Sequence, residues 1–140
     1  MAFPEVTVVF WHALVAMVAM QIIGHAWYGP LFGNAWRRYM KITPAMMKAA
    51  MRKGMGKAIA MGFVLSLIGS YVLAHFLAYA DAVTFMDSVG VVFWLWLGFM
   101  FPLQAGKVLW EGRPFGMFLI NTTYDFVAYT AAAYVLVLLA

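Results

Sequence analysis

Four long apolar runs separated by short polar breaks set the layout of the chain. They cover about Val6 to Tyr28, Ala58 to Ala80, Phe85 to Gly106 and Phe115 to Leu139. Each reaches the roughly 20 residues that a helix rising 1.5 Å per residue needs to cross about 30 Å of hydrocarbon. Lipid offers backbone groups no water, so each run must bond internally as a helix. The pattern predicts an all-α membrane protein: one domain, residues 1–140, folded as a four-transmembrane-helix bundle.

The breaks carry their own signals. Gly29 and Pro30 predict the end of the first helix, because proline has no N–H and displaces the residue before it from helical geometry. Thr43 and Pro44 read as an N-cap followed by proline at the first helical position. They predict a short helix over about 44–53. Its Met46, Met47 and Met51 against Lys48, Arg52 and Lys53 predict that it lies in the membrane interface. Thr84 and Asp87 form a capping-box pattern at the start of the third span. Pro102 predicts a kink inside that span, and Gly112 with Pro114 a tight turn after it.

Composition agrees with this layout. The chain is 66% hydrophobic and only 10% charged, against about a quarter charged in soluble domains. It has no cysteine, which excludes disulfides and thiolate metal sites. The net charge of +4 is concentrated: Arg37, Arg38, Lys41, Lys48, Arg52, Lys53 and Lys57 all fall in the first loop, Lys107 and Arg113 flank the third, and the second has no Lys or Arg. This pattern is better explained by membrane topology than by nucleic-acid binding. It predicts a multi-pass cell (plasma) membrane protein with loops one and three in the cytoplasm and both termini outside. Trp11 would then lie near the outer interface and Trp27 and Trp110 near the inner one. The N-terminal run, with Glu5 as its only charge and too long an apolar stretch, does not read as a cleavable signal.

The chemistry-bearing residues are few. Asp125 lies well inside the fourth span, where a carboxylate is costly and normally faces protein or a water-filled cavity. Asn121, Asp125, Ala128 and Ala132 share one helical face, flanked by Tyr124. Gln21, Gly24, His25 and Tyr28 share a face of the first span. Counting residues from the cytoplasmic ends puts Gln21 and Asn121 at similar depth, about 10 Å in. Gln21 is therefore an expected partner for Asn121 or Asp125, with His25 nearer the cytoplasm. One reading is a neutral Asp125 bonded within the bundle; the sharper one is a proton- or ion-handling Asp125. Glu111, Arg113 and Gln104 mark a possible cytoplasmic mouth, with a surface ion pair as the simpler role for the first two.

The second span carries small residues every four positions, among them Gly62, Ser66, Ser70 and Ala74. Such a ridge admits close helix packing, within one copy or between copies. His12 and His75 match in depth but lack the further ligands a metal needs, so they are only weak metal candidates. No cofactor is predicted.

Trp27-Tyr28-Gly29-Pro30-Leu31-Phe32-Gly33 with Trp36 resembles the W-Y-x-P-x-x-F-G-x-x-W signature of a small bacterial and fungal membrane family catalogued as a domain of unknown function. Glu111-Gly112-Arg113-Pro114, with Ile120, Asn121 and Tyr124, resembles its second signature. In that pattern histidine is more frequent than aspartate at position 125; both side chains titrate. The resemblance implies a compact four-helix membrane protein and supplies no substrate. Two functions follow: a small homo-oligomeric transporter or channel for a solute or ion, with Asp125 at its working site, or a non-catalytic scaffold or accessory subunit. Nothing resembles a catalytic set.

Overall fold

The computed structural model describes residues 3–140. Four helical stretches are long and apolar enough to cross a membrane: Phe10–Leu31, Gly56–Tyr79, Phe85–Glu111 and Phe115–Leu139. No strand occurs among the described residues. The protein is an all-α membrane bundle.

The first span consists of α1 (Phe10–Ala26) continued by a π-helical turn, Trp27–Leu31. It starts later than the apolar run: the β-branched residues Val6, Thr7, Val8 and Val9 lie outside the helix, with Val9 extended at its N-cap. It also ends later. Gly29 and Pro30 do not stop it, contrary to the expectation from sequence. The Phe32 N–H reaches back five residues to the Trp27 carbonyl at 2.8 Å. This wider turn keeps the helix going past a proline that cannot donate.

Two short helices then follow, α2 (Gly33–Tyr39) and α3 (Pro44–Lys53). Thr43 caps α3 by accepting from the Met46 N–H, with Pro44 in the first turn. The pattern had foretold α3 but not α2. Gly33 explains the tight entry into α2: a Cβ there would lie 2.5 Å from the Tyr28 carbonyl oxygen, which is backbone and cannot give way.

The second span is α4 (Gly56–Tyr79), and Asp81 closes it in the left-handed region at φ 49. The third is α5 (Phe85–Leu95), a π-helical turn at Trp96–Met100, and α6 (Phe101–Glu111). Thr84 and Asp87 form the capping box, each accepting from the other's backbone N–H. The π turn sits just ahead of Pro102, where the helical ladder must open. The span runs five residues past Gly106, because the left-handed cap forms at Gly112 (φ 64) and not before. The Gly112 and Arg113 N–H groups both turn back to the Lys107 carbonyl, the second at 3.1 Å, and so satisfy the end of the helix.

The fourth span, α7 (Phe115–Leu139), is the central helix. It packs against α1, α4, α5 and α6, whereas α4 and α5 barely meet. The core is therefore organised around it, and the tightest places are filled by small residues. Ala13 and Ala16 of α1 and Ala128, Ala132 and Ala133 of α7 are all fully buried.

Candidate functional site

Asp125 lies ten residues into α7, about 15 Å along its axis at 1.5 Å per residue. Its carboxylate faces α6. Gln104 Nε2 donates to Asp125 Oδ2 at 2.9 Å. The pair sits in a cleft of about 580 Å³ between α6 and α7, also lined by Lys107, Trp110, Glu111 and Tyr129. Gln104, Lys107 and Glu111 follow one another at i, i+3 and i+7, so α6 turns a single polar stripe into this cleft. The stripe leads from the Gly112 turn inward to the carboxylate. Leu103 and Met100 make the rest of the lining largely apolar.

Asn121 and Tyr124 belong to a different group. Tyr28 donates its hydroxyl to Asn121 Oδ1 at 2.7 Å, and its ring meets Tyr124 edge-on at 5.0 Å. Trp27 Nε1 donates to the Ile120 carbonyl at 3.1 Å. The Tyr124 hydroxyl lies over Gly24, where a Cβ would come within 2.9 Å of it. The π turn of the first span is thus pinned to α7 by two indole and phenol hydrogen bonds. The same device recurs on the third span, where Trp96 Nε1 donates to the Thr122 carbonyl at 2.8 Å. These tryptophans place a polar N–H inside an apolar span at no loss, because each finds a carbonyl. Tyr28→Phe removes one such bond and is expected to cost about 0.5–1.5 kcal/mol, read as a lower melting midpoint in detergent.

Gln21 joins neither group. Its Nε2 donates to Ser66 Oγ at 2.7 Å and to the Gly62 carbonyl at 3.1 Å, both on α4. The expected pairing with Asn121 or Asp125 is replaced because Gln104, not Gln21, faces Asp125 at that level. His25 lines a separate cleft with Gln21 and Gly62, between α1 and α4. It does not line the Asp125 cleft.

The small-residue ridge of α4 meets α1 of the same chain. Ser70 is fully buried and donates to the Ala13 carbonyl at 2.9 Å. Ala74 borders a cleft with His12 and Leu77. His75 Nδ1 lies 2.9 Å from the Tyr71 carbonyl on its own helix. His12 meets the Trp11 ring edge-on. Among the described residues no group of three or more His, Asp or Glu could hold a metal. Glu111 and Arg113 form an ion pair at 3.5 Å with both side chains about half exposed, so it adds little stability.

Sequence reasoning left Gln104 at the mouth, overlooked Lys107 as a cleft residue, and gave Trp27 and Tyr28 no partners. The α6 stripe was a readable signal, visible only once the helix is extended to Glu111. Chemically, the cleft offers one carboxylate held by an amide, a lysine and a second carboxylate nearer the turn, and two aromatic rings. That set can bind a cation or pass a proton. It has no nucleophile paired with a base.

No curated protein and no solved structure matches the chain. One family does, described as protein of unknown function (DUF1761), and the match runs over residues 11–137. That range takes in both the Asp125 cleft and the Tyr28–Asn121 contact, and the chain belongs to this family.

Proposed function

We propose that the protein is a small membrane transporter or channel whose working group is the Asp125 carboxylate. The observation that carries this reading is the Asp125–Gln104 pair at the inner end of an open cleft, with Lys107 and Glu111 on the same helical face. A carboxylate kept only for packing would be sealed in the core, and an acid at this depth is costly to retain without use. The cleft opens sideways between α6 and α7. Four helices of this length close no pathway of their own, so a second copy of the chain supplies the missing wall and the working unit is a homo-oligomer.

Reconstituted into proteoliposomes, the wild-type protein is expected to carry a pH-dependent flux of protons, a common ion or a small solute. Asp125→Asn stops it. A wild-type protein silent toward all of these overturns the reading.

The orientation proposed with it puts residues 33–57 and the Gly112 turn in the cytoplasm and both termini outside a plasma membrane. It rests on the nine Lys and Arg residues, all in or beside loops one and three. The cysteine-free chain makes the check direct. In intact cells an impermeant maleimide should label Val83→Cys, and should label Ala49→Cys only after permeabilisation. The reverse pattern inverts the assignment.

A further inference from the structure

The helix α3 has no protein to lean on. None of its residues is buried, and it makes no substantial packing contact with another helix. Ten residues are too few for a stable isolated helix in water. At about 100° per residue, Met46, Met47, Ala50 and Met51 fall on one arc and Lys48, Arg52 and Lys53 on the opposite one. The apolar arc therefore needs a surface to bury it. Position supplies one. The chain enters through α2, directly after the first span, and leaves at Gly56, where the second span begins. Only residues 40–43 and 54–55 lie between α3 and these neighbours, so it is held at the level where the spans leave the bilayer.

Charge names the surface. Arg38, Lys41, Lys48, Arg52, Lys53 and Lys57 are all exposed, and no Asp or Glu occurs between residues 33 and 57. Among the described residues the only ion pair is Glu111–Arg113, so none of the six is neutralised by the protein. Arg37 is left out of this set because it is half-buried and its guanidinium is turned to the Asn34 side chain. Setting topology requires positive charge in this loop but not a capped helix with opposed apolar and cationic faces. We infer that residues 33–57 form a binding surface for anionic phospholipid headgroups. The methionine face sits among the upper acyl chains, and the six cations take the lipid phosphates. This surface is separate from the Asp125 cleft and stands whether or not the protein transports anything.

The test uses the full chain, purified from mixed micelles of phosphatidylglycerol and phosphatidylcholine, with the co-purified lipid extracted and quantified. Wild-type protein is expected to retain phosphatidylglycerol in clear excess. The triple variant K48Q/R52Q/K53Q is expected to lower that excess roughly tenfold or more. A high-salt wash of the unmodified protein is expected to lower it too, which keeps the test valid if the variant folds poorly. Equal retention of the two lipids by wild type, or an excess unmoved by both the substitutions and the salt, overturns the inference.

Discussion

Ala132→Leu is expected to destabilise the bundle by about 1–3 kcal/mol, the usual cost of forcing extra methylenes into a packed interior. Ala132 is fully buried in the cluster that α7 forms with α1, α4 and α5. Lipid chains are as apolar as leucine, so no hydrophobic force draws these helices together. Close van der Waals approach between small side chains does that work. Ala13 and Ala16 on α1 and Ala128 and Ala133 on α7 keep the same approach open. A leucine at 132 pushes the central helix away from its neighbours and loosens several contacts at once. Ala58→Leu, on the exposed start of α4, should stay within about 0.5 kcal/mol of wild type. Melting midpoints in detergent separate the two. Equal midpoints would mean that α7 does not hold the bundle together in the way described.

The contrast between these two alanines also shows what the sequence could and could not yield. Apolar length located four spans, because crossing lipid imposes it whatever the neighbours are. Local chemistry foretold Thr43 with Pro44 and Thr84 with Asp87, since a cap is decided within a turn of chain. Pro30 was misread because its effect depends on whether the ladder can widen. With the Phe32 N–H free to reach Trp27, the helix passes through it. The small-residue ridge of α4 was visible by its spacing, as was the Ala128–Ala132 pair of α7, yet the fully buried Ala13, Ala16 and Ala133 have no small residue four positions away to mark them.

The site suffered most from this limit. Counting residues gives the depth of a side chain along its helix but not which helix stands beside it. Gln21 and Gln104 both lie within about two turns of the cytoplasmic side. Adjacency around the central helix sends the first to Ser66 and the second to Asp125. The boundary of the third span compounded this. Ending it at Gly106 leaves Gln104 at the rim, whereas ending it at Glu111 sets Gln104 about 10 Å inside, where its side chain reaches the acid.

Asp125→Leu and Gln104→Leu are each expected to weaken the bundle, because each leaves the other's polar group without its partner at a cost of about 1–3 kcal/mol. Removing both should cost less than the sum, since two apolar side chains then face each other and no group is stranded. A coupling of about 0.6–1.7 kcal/mol is the range for hydrogen bonds between helices in lipid. Asp125→Asn behaves differently. Its side-chain oxygen still accepts from Gln104 Nε2, so its melting midpoint should stay close to wild type. What it loses is the ability to carry a charge or exchange a proton. Flux that vanishes in Asp125→Asn while the midpoint holds therefore assigns the carboxylate a working role. Flux and midpoint falling together would make the pair a brace between α6 and α7, and the transport reading would lose the observation it stands on.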